Sequence, residues 1–525
     1  MFELARIFRS GMVLQRDKRI AVWGTAAPSH IVTVSIQEQS GSAAADDSGF
    51  WRITLDPLET SENEVMTAAC GDRVITLTDV AVGDVWFCGG QSNMEFHMMF
   101  DADFDEEKPK CADPLLRFFD YPEVSYPEQL NEADYWVHYG FWRKAEPRQL
   151  RRFSAVAYYF AKRIRKETGV PVGLIGCNWG GTPICAWMPR QAVLDNGGAV
   201  YVEDYEKALE GLDLEDYEKR FRKDPNSQRA DQLADPVMNE MMFGATIPQL
   251  MEKMAKRGIE MPAPETWGPV IGPKWNCRPG GLYDSMVLPL APYGIRGFLW
   301  YQGETDGEMH PEPYRQLFSA LIGHWRELWG ETLPFLFVQA EPLERWMDTT
   351  GENCIPIREA QQAVADTVEN VGMAVITDAG MRYDIHPKKK RPVGERLALL
   401  ALNKSYGRPG LLCEAPRLSE LSVENGALTL RFGYSGGGLY LSDTTPYGDP
   451  APKTCAGWLR VFRNGAELDG STLFPSAQGD TLILRSAAFR IGDSFRAELA
   501  LTGWYQVPLY NSAGIPARPG MIETI

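Results

Sequence analysis

Val85-Trp86-Phe87-Cys88-Gly89-Gly90-Gln91-Ser92-Asn93-Met94 is the stretch on which the reading of this chain turns. Four apolar residues of strand character stop at a glycine pair, and a serine follows two positions later. Glycine reaches backbone conformations closed to other residues, so the pair suits a sharp strand-to-helix turn. Such a turn sets a hydroxyl at the carboxyl edge of a parallel sheet, close to a helix N-terminus. Ser92 then reads in two ways: as a nucleophile, or as the N-cap of the helix that follows. The first reading needs a base, an orienting acid and oxyanion donors from elsewhere in the chain.

Outward from that stretch the rhythm differs on the two sides. Up to about residue 80 the pattern has period two, with Val32, Val34 and Ile36 alternating with Thr33 and Ser35, and Trp51, Ile53 and Leu55 with Arg52 and Thr54. Residues 1–80 are therefore predicted to form a small antiparallel β-sandwich, an accessory domain. From residue 81 to 407 short apolar runs alternate with amphipathic segments. The runs are Val85–Cys88, Val172–Cys177, Gly297–Tyr301, Phe335–Gln339 and Ala374–Thr377. Tyr314, Leu317, Leu321, Trp325 and Leu328 recur at helical spacing before Gly330, and Val156–Thr168 is a second amphipathic helix closed by Gly169. A helix is also predicted to begin near Lys389. This is an α/β pattern of βαβ units and a doubly wound parallel sheet. Residues 199–280, rich in charge and methionine, break it and read as a helical insertion, since methionine stripes usually pack. From 408 to 525 period two returns, with Asn464-Gly465 as a hairpin signal, so the tail is a second β-rich module.

Composition removes several functional classes. A chain of 525 residues suggests roughly three domains, and 44% hydrophobic with 23% charged residues is ample for real cores. A net charge of -17 argues against binding nucleic-acid backbone or an anionic membrane surface. No run of eighteen apolar residues occurs, so no membrane-spanning helix is expected. The chain as given opens without a basic region followed by a long apolar one, so a cytoplasmic location is expected. The nine cysteines are scattered and include no CxxC pair, which fits reduced thiols and speaks against a zinc ribbon. HExxH, GxxxxGK[ST] and GxGxxG after a strand do not occur, so no metal or cofactor is expected. Ser92 also lacks the GxSxG setting of the common α/β-hydrolase elbow.

In parallel sheets ligands gather beyond the carboxyl ends of the strands. Four of the five predicted ends carry polar or glycine-rich sequence: Ser92; Asn178-Trp179-Gly180-Gly181-Thr182; Gln302-Gly303-Glu304-Thr305-Asp306; and Asp378 with Tyr383-Asp384-Ile385-His386-Pro387. A serine hydroxyl needs a base to take its proton, and histidine has the suitable proton affinity. Of the six histidines, His30 and His138 fall in surface-like stretches, His324 sits inside a helix, and His97 lies too far along the helix from Ser92. His310 is a reserve, and His386, after the last strand and beside an acid, is the candidate base. Asp384 is the nearest orienting carboxylate, with Asp378 and Glu304 as substitutes. The Ser92 amide, a Gly181 or Gly180 amide and the Gln302 side chain are the candidate oxyanion donors. Paired carboxylates for glycoside hydrolysis have no convincing representative beyond Glu304 and Asp306, which are too close in sequence.

Taken together the motifs resemble the sialate O-acetylesterase family of the SGNH hydrolase superfamily. Gly-Gln-Ser-Asn-Met at 90–94, Trp-Gly-Gly-Thr-Pro-Ile at 179–184, Trp-Tyr-Gln-Gly-Glu at 300–304, Arg-Glu-Ala-Gln at 358–361 and Asp-Ile-His-Pro at 384–387 carry the likeness. Met12-Val13-Leu14-Gln15-Arg16, Val22-Trp23-Gly24-Thr25 and Leu509-Tyr510-Asn511 extend it. The resemblance implies a flavodoxin-like three-layer α/β/α SGNH core with flanking β-sandwich-like modules. It further implies a metal-free serine esterase that takes O-acetyl groups off sugars, sialic acid foremost, through an acyl-enzyme. Ser92 maps onto the nucleophile and His386 onto the base, with Asp384 as acid. Gln91, Asn93, Gly180 and Glu304 are the expected substrate contacts. The chain departs from the family twice. Thr305-Asp306 stands where Ser-Asn is frequent, which removes an asparagine donor. Asp384 lies two residues before His386 rather than three, which leaves the acid open among Asp384, Asp378 and Glu304. Alternative readings are an acetylxylan-type polysaccharide esterase and, in another class, a non-catalytic carbohydrate-binding protein.

Overall fold

Arg73–Gly90 is one continuous strand of 18 residues, and its burial changes character along its length. The first part alternates between exposed and buried positions, whereas everything from Val80 to Gly90 is buried. Alternation marks a sheet wet on one face, and continuous burial marks a parallel sheet covered on both. The strand therefore serves two sheets, and the predicted boundary at residue 80 falls inside it. A computed structural model describes residues 2–131, 139–223, 236–259, 269–424, 426–487 and 489–524. The chain forms two compact units, Met1–Trp300 with Gln316–Phe335, and Tyr301–Arg315 with Leu336–Ile525.

In the first unit the N-terminal β region has a three-stranded sheet of Glu3–Leu4, Ile20–Thr25 and Phe50–Leu55. A second layer runs through Ile31–Ile36, Gln39–Ala44 and Ser61–Cys70 to the first part of Arg73–Gly90. Val32, Val34, Ile36, Trp51, Ile53 and Leu55 are the buried partners of the alternation, as their spacing predicts. Val13–Gln15 pairs in parallel with Ala81–Gly83. Just beyond it Gln15 Oε1 accepts the Val85 N–H at 2.8 Å, and Arg16 and Arg296 converge on the buried Asp84 at 3.0 and 2.7 Å. The Met-Val-Leu-Gln-Arg motif thus fixes the strand where it enters the core.

The core sheet of this unit takes the order Trp142–Ala145, Asp113–Asp120, Val172–Asn178, Arg73–Gly90, Gly297–Tyr301. Consecutive side chains on a strand point to opposite faces. Trp86 meets Phe160 of the Ala155–Thr168 helix at 5.0 Å between ring centroids, and Phe87 meets Trp325 of the Tyr314–Trp329 helix at 5.2 Å. Helices therefore cover both faces, giving three layers. Two strands, Asp113–Asp120 and Trp142–Ala145, are additions to the predicted set. Arg117 disguises the first, because a charge interrupts Leu-Leu-Arg-Phe-Phe. Its guanidinium is nevertheless 1% exposed, donating to the carbonyls of Gly11 and Pro114 and to Asp79 Oδ1, each at 3.0 Å. The described parts of residues 199–280 are mainly helical, as expected: Ala199–Leu209, Leu214–Phe221, Pro236–Met242 and Ile247–Lys256.

In the second unit Phe335–Val338 neighbours Val371–Ala374. The last strand was expected at 374–377 and lies earlier. Val375 and Ile376 are buried, yet the chain is already turning there, with the Ala379 N–H donated to the Ile376 carbonyl at 3.0 Å. The apolar run marks burial, not strand. Arg391–Ser405 forms the helix predicted from about Lys389. The C-terminal region holds two four-stranded antiparallel sheets over one core that includes Leu428, Leu430, Phe432, Val461, Leu482 and Leu484. Asn464 and Gly465, at φ 49 and 82, join Leu459–Arg463 to Ala466–Glu467, the positive-φ hairpin their sequence announces.

Candidate active site

Among the residues marked for chemistry, Ser92, Gln91, Asn93, Gly180 and Gly181 belong to the first unit, and Gln302, Glu304, Asp384 and His386 to the second. In the first unit the long strand ends at Gly90, whose φ of 137 no L side chain adopts comfortably. Ser92–Glu95 then makes a single helical turn. Gln91 holds the N-cap position and Ser92 is the first helical residue, so the N-cap role considered for Ser92 falls to Gln91. Gln91, Asn93, Met94 and Glu95 are buried while Ser92 is partly exposed. Ser92 is the most exposed residue of this turn.

Glu95, three positions on, is a residue the sequence did not single out. Its Oε2 accepts the Gly180 N–H at 2.7 Å. Asn178 Nδ2 donates to the Cys88 carbonyl at 3.2 Å, and the Trp179 N–H to the Gly90 carbonyl at 3.1 Å. The two strand ends are thereby laced together. A Cβ on Gly180 would lie 3.1 Å from the Ser92 Cβ, tighter than ordinary contact. The bare glycine lets this turn come against the serine. Thr182 completes it, donating to the Trp179 carbonyl at 2.7 Å and accepting from Trp187 Nε1 at 2.9 Å. The Gly180 amide is thus taken up by Glu95. Gly181, by contrast, is exposed.

In the second unit the Tyr383–His386 stretch folds back on itself. Asp384 Oδ1 accepts the His386 main-chain N–H at 2.8 Å and lies 3.6 Å from His386 Nδ1. Lys388 Nζ is 2.8 Å from the other oxygen, Oδ2. Trp346, on the short Arg345–Trp346 strand, meets the imidazole edge-to-face at 5.4 Å. Burial pulls the His386 proton affinity below the ordinary imidazole range, the Asp384 carboxylate opposes this, and Lys388 and Lys390 reinforce it. Burial pushes the Asp384 carboxyl up, but His386 and Lys388 outweigh it and hold it below the usual carboxylate range. The result is a neutral imidazole beside an ionised carboxylate. Asp378 is committed elsewhere: Arg396 grips both its oxygens at 2.7 and 2.6 Å, and the Tyr510 hydroxyl donates to it at 3.0 Å. Asp378 is thus paired with Arg396 and Tyr510, whereas Asp384 lies beside His386. The Leu-Tyr-Asn motif near the C-terminus owes its tyrosine to this ion pair.

Gln302 is fully buried and anchored from several sides. Its Nε2 donates to Asp306, the Tyr314 hydroxyl lies 3.0 Å from its carbonyl and 3.1 Å from its Oε1, and Gln361 Nε2 donates to the same carbonyl at 3.1 Å. Asp306, which cannot stand in for an asparagine donor, serves instead as the acceptor that holds the Gln302 amide. The Arg-Glu-Ala-Gln motif lies on the Cys354–Thr367 helix. Gln361 supports Gln302 there, and Arg358 donates to the Glu341 and Thr502 carbonyls at 2.9 and 2.7 Å. Glu304 is 2% exposed, and its charge, after burial itself, holds the Glu341 carboxyl well above the usual range. Tyr301 donates to Glu341 at 3.1 Å. Glu304 thus lies in a buried carboxylate cluster with Glu341. Among the other histidines, His30 lies 3.9 Å from Cys70 Sγ and His324 lies 3.5 Å from Glu327. His97 and His310 flank short helices, and His138 lies outside the described residues.

The three-layer α/β core with β-rich regions before and after it in the chain is a flavodoxin-like architecture. The family profile described as "Carbohydrate esterase, sialic acid-specific acetylesterase" matches residues 82–215 and 202–403. The chain belongs to this family and is a carboxylic ester hydrolase. The sialate O-acetylesterase of Rattus norvegicus is 27% identical over 471 residues, covering 82% of this chain and 79% of its own. The sialate O-acetylesterase of Homo sapiens is 25% identical over 472 residues, covering 82% and 76%. The crystal structure of a carbohydrate acetylesterase from Xanthomonas citri is 27% identical with a TM-score of 0.71, covering 100% of both chains.

Proposed function

We propose that this protein is a serine esterase that removes O-acetyl groups from sugars, with O-acetylated sialic acid as its foremost substrate. The observation that carries the reading is Ser92 itself: partly exposed on a buried turn, with the Gly180 turn tied against it by Glu95. The roles follow from what ester hydrolysis requires. His386, neutral because burial disfavours its charge, takes the Ser92 proton as the hydroxyl oxygen attacks the acetyl carbonyl. Asp384 stabilises the imidazolium that forms. The Ser92 and Gly181 amides and the Gln302 side chain, through its second N–H, stabilise the oxyanion. The sugar hydroxyl leaves with the His386 proton, and water then releases acetate from the acyl-serine by the same route. Gln91 and Asn93, buried on either side of Ser92, act on the substrate by shaping this turn.

The names of the rat and human relatives support sialic acid as substrate, and that of the Xanthomonas citri relative supports a second reading, another acetylated carbohydrate such as acetylxylan. An acetate-release screen across O-acetylated sialic acids, acetylated xylo-oligosaccharides and simple acetylated sugars separates the two. The first reading expects the highest kcat/KM on sialic acid esters, and a clear preference for xylo-oligosaccharides would replace it with the second. A reducing compartment such as the cytoplasm is part of the same proposal, supported by nine free, buried cysteines. Localisation of the tagged full chain tests it.

A further inference from the structure

Lys388 is a lysine placed where few lysines go. Its side chain is 13% exposed, and the ammonium lies 2.8 Å from Asp384 Oδ2. The other oxygen of that carboxylate, Oδ1, faces the His386 main-chain N–H at 2.8 Å and the His386 Nδ1 at 3.6 Å. One carboxylate is thus shared between a cation on one side and the imidazole on the other. A buried ion pair holds its geometry because each partner alone would be an uncompensated charge. The charged groups acting on the imidazole include Asp384, Lys388 and Lys390, and Trp346 of the neighbouring short strand meets the ring edge-to-face.

We propose that Lys388 is a positioning residue for the Asp384–His386 pair: its ammonium, paired with Asp384 Oδ2, keeps Oδ1 turned to the imidazole. The proposal rests on His386 being the general base. Two consequences follow from its charge. Asp384 stays ionised in a buried setting, so it remains an acceptor throughout the cycle. The imidazolium, repelled by a second cation nearby, forms less readily before reaction, which keeps the base neutral at lower pH. The ordinary imidazole value is 6.5, and His386 lies below it. Because the working form is the neutral one, kcat/KM falls as pH drops through the His386 value, and its acid limb in the wild type lies below 6.5.

The test is titration of the His386 ring by carbon-detected NMR on ¹³C-histidine-labelled full-length protein, alongside the pH profile of aryl acetate hydrolysis. Six histidines give few signals, and His386→Gln identifies the one in question. Lys388→Gln and Lys388→Met, the latter preserving the apolar stem, are both expected to raise the midpoint by about one pH unit, the size expected for loss of one neighbouring charge. The acid limb of kcat/KM should move with it, while Lys388→Arg leaves both near wild type. A midpoint unchanged in either neutral variant, or moved as far by Lys388→Arg, overturns the proposal. The ring titration is independent of turnover, so it decides the role of Lys388 even if Ser92→Ala were to show that the esterase reading itself is wrong.

Discussion

At the residue scale the account depends on a few side chains whose partners are distant in the chain. Glu95 is the sharpest case. Its bond to the Gly180 amide spans 85 positions, and nothing in Gln-Ser-Asn-Met-Glu announces it. If Glu95 holds the donor turn against Ser92, Glu95→Ala should lower kcat by about 10²-fold, the scale of losing one oxyanion donor, with KM little changed. Glu95→Gln keeps an acceptor at the same place and should recover most of that loss. Steady-state kinetics on an aryl acetate checks both, and an equal, mild effect of the two variants would assign Glu95 a packing role instead. Ser92 and the Gly180 turn stand out in the sequence because each follows a strand end of unusual composition, and His386 because it stands beside an acid after the last strand. Glu95 and Lys388 are not, since a carboxylate or an ammonium reads as a solvated surface group until its partner is known. The committed state of Asp378 is hidden for the same reason. Its arginine, Arg396, is 18 positions away, and its tyrosine, Tyr510, is 132 away.

At the scale of elements, sequence and structure agree where periodicity is strong and diverge where a charge or a turn disturbs it. The Tyr314–Trp329 and Ala155–Thr168 helices are recovered, with Gly330 and Gly169 closing them at φ 70 and 74. The Asp113–Asp120 strand is missed because Arg117 buries its guanidinium on main-chain carbonyls, a solution composition cannot show. The last strand is misplaced because Val375 and Ile376 are buried in a turn. The long Arg73–Gly90 strand carries its own prediction. A Cβ on Gly89 would lie 2.9 Å from Trp325 and 3.0 Å from Trp300, both fully buried. Gly89→Ala should therefore destabilise the protein by about 1–3 kcal/mol, the usual cost of overpacking. Chemical denaturation followed by tryptophan fluorescence measures this, and an unchanged midpoint would mean that the aromatic layer yields at no cost.

At the scale of the whole molecule, an α/β core joined to β-rich regions at both ends supports a sugar esterase, and the family membership rests on the core, residues 82–215 and 202–403. The fold class is legible from the change of rhythm alone. One strand, Arg73–Gly90, serves two sheets across the predicted first boundary. The proposed chemistry, in turn, depends on one atom, the Ser92 hydroxyl oxygen. Its most direct test is intact-protein mass spectrometry of the full-length enzyme quenched during turnover of an aryl acetate, with Ser92→Ala in parallel and the modified peptide mapped. The account predicts a transient acetyl adduct on Ser92 in the wild type, and neither adduct nor acetate release above background in the variant. Wild-type rates of acetate release from Ser92→Ala would contradict it.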